Sequence, residues 1–371
     1  MSGESGLFIE DLEAGREAPG GRIADGLELS PADFAGRFGA LFWRPPESLD
    51  PIYYKLAAFC KTTAVSENSP ANLGATGVLF HRPPTSLADE ANTVVLGRKF
   101  RAPGASTGVA QVQSRIGPPG GAPTLRWTRE CVVKGRPGWR LPESAAPLDT
   151  REAAAAECDL SAAQLPEARG PVPRPPGARV AEDFRVGEVI PAGRIALLRP
   201  DEVLWLTRGL GNLAKTHYTR DSGYIVWGLL TLLYGVHNHA PALQCAALLG
   251  MDQAKHLAPV YLCEALRAEE HAAAKLPEPP EFLSATLTPL AQQEAPGRPD
   301  LRLVTVELLV TNHINAIGRA EYQRQGAKKA IESTVDGLLL VGRYVLRLAV
   351  FTRAATREVS GPGAAQAREK S

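Results

Sequence analysis

The sequence has little of what marks several common protein classes. Its 371 residues include five cysteines, an odd number with no Cys-x-x-Cys pair, which argues against a disulfide framework and a cysteine-rich zinc site. Basic and acidic residues nearly balance, and the net charge of +1 creates no field that would favour nucleic acid or an anionic membrane. These absences favour a reducing compartment and exclude recognition driven by net charge.

Long apolar runs are also missing. The most apolar run, at 338–351, is interrupted by Arg343 and Arg347 and is too short to cross a bilayer. The first ten residues lack the apolar core of a signal peptide. We therefore expect no membrane segment and a cytoplasmic location.

Two segments of the sequence recur at one spacing. Glu10-Asp11-Leu12 is echoed by Glu182-Asp183-Phe184, and Gly21-Arg22-Ile23-Ala24 is repeated as Gly193-Arg194-Ile195-Ala196. Both pairs are 172 residues apart (182 minus 10, and 193 minus 21). A shared spacing is hard to obtain by chance, so the sequence predicts a duplicated domain.

A segment rich in proline and alanine lies midway between the copies, and its composition is typical of a linker. The residues after the last hydrophobic run have the composition of a disordered tail. The predicted organisation is an N-terminal domain at 1–140, a linker at 141–180, a C-terminal domain at 181–356 and a tail at 357–371.

The same order of elements is predicted in each half. Proline suits the first turn of a helix, which predicts helix starts at Ser30-Pro31 and Arg199-Pro200. The segment 224–237 is hydrophobic almost all round, as in a buried helix. Strands are predicted at 94–101, 107–115, 123–134 and 301–311, and a last strand places Tyr344, Leu346, Leu348 and Val350 on one face. A buried helix wrapped by an antiparallel sheet, made twice, is an α+β fold.

This order resembles the MaoC-like hydratase family, whose structural unit is the hotdog fold. Four segments carry the resemblance: an opening turn at 182–187, a central-helix motif at 225–231, a late strand at 310–312, and a Pro-Pro-Thr helix start of non-catalytic halves at 81–85. Where the family usually has His-Gly, this chain has Trp227-Gly228. The resemblance implies a tandem (double) hotdog, each half an antiparallel sheet around a long central helix.

A fifth segment resembles one branch of that family. Asn212-Leu213-Ala214-Lys215-Thr216-His217-Tyr218 is similar to the Asn-x-Ala-Lys-x-His-aromatic segment of mesaconyl-CoA (2-methylfumaryl-CoA) hydratases. MaoC-like hydratases use an Asp and a His five positions later to hold a water and move its proton, and the corresponding residues are Asn212 and His217. The resemblance implies a hydro-lyase that reversibly hydrates a short branched or dicarboxylic 2-enoyl thioester, with no cofactor and no metal.

The residue types allow this chemistry. His217 can act as base and acid in turn because its usual pKa is near 6.5. Asn212 cannot ionise, but its amide can hold a water. The alternative that Asn212 is an ordinary turn residue stays open. The N–H of Gly228, near the start of the buried helix, would polarise the thioester carbonyl. Predicted substrate contacts are Lys215, Tyr218 and Trp227. For Lys215 the alternative is that it is a loop lysine exposed to solvent, with no role in binding.

The first half offers no equivalent pair, because no histidine follows the segments 42–46 and 50–54 that occupy the matching place. We therefore expect one site per chain, with the first half shaping the acyl tunnel, and a homodimer of such chains as a possible assembly. Of the other six histidines, His237 and His239 are assigned to the C-terminal turn of the buried helix and not to a metal site, and structural roles are assigned to His81, His256, His271 and His313.

Two other functions stay open. The same scaffold can serve a thioesterase or another tailoring enzyme of secondary metabolism. It can also serve a non-catalytic acyl-thioester-binding protein, in which Trp227 would plug a decayed site.

Overall fold

The computed structural model describes residues 7–62, 68–69, 71–100, 104–140, 160, 163–212, 214–219, 224–262, 282–314, 316–327, 330, 332, 334 and 338–359. Its strands are β1 (Glu17–Arg22), β2 (Ala71–Phe80), β3 (Glu90–Phe100), β4 (Thr107–Gly117), β5 (Leu125–Lys134), β6 (Val172–Arg174), β7 (Ile190–Pro191), β8 (Ala196–Leu197), β9 (Ala246–His256), β10 (Phe282–Ala295), β11 (Arg298–His313), β12 (Leu338–Phe351) and β13 (Thr356–Glu358).

The α-helices are α1 (Pro31–Phe38), α2 (Pro51–Cys60), α3 (Pro200–Gly209), α4 (Gly228–Asn238), α5 (Ala240–Leu243) and α6 (Ala316–Arg324). Short 3-10 helices lie at Ile9–Asp11, Ala181–Asp183, Lys215–His217 and Arg353–Ala355. Within the described ranges, no helix combines the length and hydrophobicity that crossing a membrane requires.

A continuous antiparallel sheet joins the two halves. Its strand order is β1-β3-β4-β5-β2-β9-β12-β11-β10-β7, with β8 beside β10. The halves meet where β2 pairs with β9, from Gly74 opposite Lys255 to Leu79 opposite Gly250. Each half wraps one buried helix: every residue of α2 is buried, and α4 packs against β10, β11 and β12. The architecture is therefore two helix-and-sheet units sharing one sheet.

The predicted faces of the last strand are confirmed. Tyr344, Leu346, Leu348 and Val350 are all buried in the main hydrophobic core. On the opposite face Arg343 binds Glu307 and Arg347 binds Asp252, with nitrogen–oxygen distances of 2.6 and 2.7 Å. The predicted helix starts are also confirmed, since α1 begins at Pro31 and α3 at Pro200.

The acidic turns of the sequence repeat make the same contact in both halves. In each, a 3-10 helix supplies a glutamate and an aspartate that bind one arginine just after the last long strand. The glutamate accepts a hydrogen bond from the backbone N–H of the arginine, and the aspartate accepts one from the guanidinium of the same arginine. Glu10 and Asp11 bind Arg136 in this way, and Glu182 and Asp183 bind Arg353. These pairs are partly exposed and contribute little stability individually. Their recurrence shows the duplication at the level of side chains.

Two sequence-based assignments need correction. Residues 81–85, which resemble a helix start, form a loop after β2, and the central helix of the first half is α2. Consecutive prolines remove two backbone donors there, whereas Asp50 caps α2 by accepting hydrogen bonds from Ile52 and Tyr53. The predicted tail boundary at 357 falls inside β13, which pairs with β6 from the linker. Residues 141–159 of the linker and 360–371 of the tail lie outside the described residues.

Candidate active site

A cavity of about 320 Å³ lies at the N-terminal end of α4. His217, Asn212, Trp227 and Gly228 all line it, so the structure brings these four predicted residues together. The first half contributes further lining residues: Phe59, Ser69, Asn72 and Leu73. The volume is at the lower end for ligand pockets, which favours a small ligand group.

His217 is oriented by a backbone carbonyl. Its Nδ1 lies 2.7 Å from the carbonyl oxygen of Ile225, a residue that is itself held by an antiparallel bridge to Tyr261. A carbonyl can only accept, so Nδ1 carries the proton in this contact and Nε2 has the lone pair of a base. The side chain is 8% exposed, and burial lowers the pKa of His217 below its usual 6.5, which favours the neutral, basic form.

Asn212 is also held in place. Its Oδ1 accepts a hydrogen bond from the N–H of Ala214 at 3.1 Å, and its backbone carbonyl accepts one from the Tyr218 hydroxyl at 2.5 Å. The first contact is an Asx-type turn, as the alternative interpretation of this residue expected. It uses one lone pair of Oδ1 and fixes the amide plane, and no described residue binds the Nδ2 amide. The turn therefore presents an oriented amide to the cavity.

Two of the predicted substrate contacts are not resolved by this geometry. Tyr218 is not among the cavity-lining residues, and its described hydrogen bond is to the Asn212 loop. Lys215 belongs to the short 3-10 helix, but its side chain lies outside the described residues. Both substrate contacts stay predictions.

Trp227 closes one side of the cavity. Its ring is 3% exposed and packs at a tilt against Phe59 at the end of α2, with 5.4 Å between ring centroids. Because Phe59 belongs to the first half and Trp227 to the second, this wall depends on both halves. The pair forms one wall of the cavity.

The N-terminus of α4 is open where that of α2 is closed. Trp227 at the N-cap makes no side-chain capping bond, and within the described ranges no acceptor binds the N–H of Gly228. In α2, Asp50 satisfies two N–H groups and Pro51 has none to offer. Unsatisfied N–H groups and the positive end of the helix dipole attract a partial negative charge. Of the two central helices, only α4 has unsatisfied N–H groups at its N-terminus that a ligand could bind.

The matching place in the first half is nearly filled. Its cavity is about 30 Å³, enough for little more than a water, and the linker residues Gln164 and Pro166 help to close it. A surface groove of about 660 Å³ adjoins it, larger than the cavity at α4, but no histidine lines that groove. Chemistry and not volume therefore identifies the candidate site.

His256, for which the sequence predicts a structural role, also lines this cavity. It lies at the end of β9, and its ring occupies the space that a Cβ at position 228 would need, 2.5 Å from both Nδ1 and Cε1. Glycine is thus required at 228 because the His256 ring leaves no room for a side chain. No local motif links two residues that are brought together by a strand and a helix.

Among the described residues, no group of three or more His, Cys, Asp or Glu side chains is placed to hold a metal ion. The polar groups that line the cavity at α4 include the imidazoles of His217 and His256 and the amide of Asn212.

Solved structures resemble the chain over nearly its whole length. A MaoC domain protein dehydratase from Chloroflexus aurantiacus J-10-fl has a TM-score of 0.69 at 18% identity, covering 95% of this chain and 99% of that one. Rv0216 of Mycobacterium tuberculosis, which has a double hotdog fold, has a TM-score of 0.62 at 19% identity, covering 92% and 98%. No protein-family model matches the chain, and curated proteins give no significant match.

The chain therefore has the double hotdog fold, and the predicted α+β tandem hotdog is confirmed. Identities this low establish the fold alone. The resemblance to mesaconyl-CoA hydratases and the activity itself stay proposals.

Proposed function

We propose that the protein adds water reversibly to a short 2-enoyl thioester, as a hydro-lyase. One observation carries the proposal: the base nitrogen of His217 and the oriented amide of Asn212 share a cavity with the uncapped N-terminus of α4. Water addition to an enoyl thioester needs a base, a proton donor and a place for the enolate charge. His217 can serve as the base and then as the proton donor, the N-terminus of α4 can stabilise the enolate charge, and Asn212 can hold the water.

In this mechanism the thioester carbonyl accepts a hydrogen bond from the N–H of Gly228. A water held by Asn212 gives a proton to Nε2 of His217 as its oxygen bonds to C3 of the substrate. The π electrons of the C2–C3 bond move onto the carbonyl oxygen, and the helix dipole of α4 stabilises that charge. When the carbonyl reforms, C2 takes the proton from His217, so base and acid are regenerated and no cofactor is consumed.

Substituting alanine for His217 tests the proposal directly. With crotonyl-CoA as the probe, general-base loss should lower kcat by on the order of a hundred-fold or more. His313→Ala removes a histidine on β11 that does not line the cavity, and it should leave kcat unchanged. Loss of the enoyl ultraviolet absorbance reports hydration. A His217→Ala protein with the wild-type rate would exclude the mechanism.

The same assay distinguishes the other functions. Release of free thiol without loss of the enoyl group would support a thioesterase. Saturable binding of several acyl-CoA thioesters without turnover would support the acyl-thioester-binding protein.

The acyl group is a finer proposal. Among the described lining residues there is no lysine or arginine, and the side chain of Lys215, whose chain neighbours Ala214 and Thr216 line the cavity, lies outside the described residues. Recognition of mesaconyl-CoA would depend on Lys215 for the second carboxylate. If wild type prefers mesaconyl-CoA to crotonyl-CoA, and Lys215→Ala reverses the preference while Lys215→Arg keeps it, the dicarboxylic substrate is supported.

A further inference from the structure

His256 presents an unpartnered polar atom in the proposed active site. Its Nδ1 is buried and makes no hydrogen bond within the described part of the chain. The neighbouring Tyr344 ring lies 6.1 Å away, centroid to centroid, but the Tyr344 hydroxyl is already bonded to Thr231 and to the carbonyl of Gly228. A buried polar atom without a partner is costly, which is the pattern of a group that finds its partner in a ligand.

The atom is also close to the open helix end. Nδ1 lies 2.5 Å from the position of a Cβ on Gly228. In a helix the Cα–Cβ direction tilts toward the N-terminus, which is the end where the Gly228 N–H is exposed. The imidazole and the backbone N–H therefore border the same small region of the cavity.

The imidazole can donate there without carrying charge. Burial lowers the pKa of His256 to about 4, so the ring is neutral near pH 7. A neutral imidazole has one N–H, and a neutral donor can polarise a carbonyl oxygen without giving up a proton.

We propose that His256 is a second hydrogen-bond donor to the thioester carbonyl, acting through Nδ1 beside the N–H of Gly228. The proposal rests on the proposed function for the position of the thioester. It assigns a catalytic role to a residue that no sequence motif indicates. With two donors, the carbonyl oxygen is bound on two sides as the enolate forms.

Two variants of His256 separate donation from packing. His256→Leu keeps an apolar group against Gly228 but removes the donor, and kcat for crotonyl-CoA should fall roughly a hundred- to a thousand-fold, as for loss of one oxyanion-hole donor. His256→Asn places an amide N–H near the position of Nδ1, and it should retain most of the rate. A His256→Leu protein that folds and keeps full kcat, or an Asn variant that is as slow as the Leu variant, would overturn the proposal.

A spectroscopic measurement is independent of turnover. Crotonyl-CoA with a carbon-13 label in its carbonyl is bound to His217→Ala, and the carbonyl infrared band is compared with that in the His217→Ala/His256→Leu double variant. The band should shift to lower frequency in the first and return toward its solution position in the second.

The two proposals can fail separately. A His256-dependent shift in a protein that hydrates no enoyl-CoA would retain the carbonyl contact and reject the hydratase. If the wild-type protein hydrates enoyl-CoA but the carbonyl band is insensitive to His256→Leu, the hydratase is retained and the His256 contact is rejected. Failure of both crotonyl-CoA and mesaconyl-CoA to bind would overturn both proposals.

Discussion

Gly228→Ala tests the contact at the centre of the site. The new Cβ would lie 2.5 Å from Nδ1 and Cε1 of His256 and 2.8 Å from Cγ. Ordinary contacts begin near 3.4 Å, so the ring or the helix start must move by close to 1 Å. Neither partner is a flexible side-chain end, because the ring is packed against Tyr344 and the helix is buried.

The magnitude follows from two opposing effects. Replacing glycine by alanine in a helix raises the unfolding free energy by up to about 1 kcal/mol, whereas overpacking a core lowers it by about 1–3 kcal/mol. We therefore expect a net loss of roughly 1–2 kcal/mol of unfolding free energy, and a loss of activity on the order of a hundred-fold from a 1 Å displacement at the reacting carbonyl.

Urea unfolding and crotonyl-CoA hydration measure the two effects. The control is the double variant Gly228→Ala/His256→Ala, in which the ring that causes the overlap is absent. A double-mutant cycle should show a coupling free energy of about 1 kcal/mol or more, with the stability loss at 228 largely relieved. If Gly228→Ala is as stable and active as wild type, or if the two substitutions are additive, the packing described here is wrong.

Four further predictions concern pH, a helix cap and the wall of the cavity. Hydration should decline with acid only below pH 6.5, because the pKa of His217 is lowered and its neutral form is the base; a kcat/KM profile against pH checks this. The pKa values of His239 and His256 are lowered to about 4, below their values in the unfolded chain. Because the unfolded state then binds more protons, the unfolding free energy should fall as the pH drops from about 6.5 to 4, by up to roughly 3 kcal/mol for each histidine. Urea titrations at several pH values measure this loss of stability, and a flat profile would contradict the prediction. Asp50→Ala should cost about 1–2 kcal/mol by uncapping α2, and more than Ser30→Ala at the exposed cap of α1. Trp227→Ala should shift the preference from crotonyl-CoA toward octenoyl-CoA by opening the wall against Phe59, and an unchanged preference would show that the wall does not limit the chain.

The fold could be predicted because its signals are periodic or repeated. Strand faces such as that of Tyr344 and Leu346 follow from alternation, and the helix starts at Pro31 and Pro200 follow from proline chemistry. The first central helix was harder to place. The sequence of α2 has only ten residues, too few to distinguish a buried helix from a buried strand by hydrophobicity alone, and its Tyr53, Tyr54 and Phe59 are residue types common in strands.

The site was only partly visible in the sequence. Asn212, His217 and Gly228 lie within one stretch of chain, and a local motif could group them. His256 and Phe59 reach the same cavity from a strand of the second half and a helix of the first. Their approach depends on the pairing of β2 with β9 and on helix packing, which no local pattern encodes.

The covalent link between the halves has an evolutionary consequence. In a homodimer of identical chains, every substitution appears at both symmetry-related positions, so a proline at one helix start would be imposed on the other. Here Pro51 and its aspartate cap stand at one helix start, while Gly228 stands at the other. Because the halves are fused, the helix start of one half can be capped while the helix start of the other half stays uncapped. Fusion also keeps the shared seam assembled at any dilution, because the partners are never separate molecules.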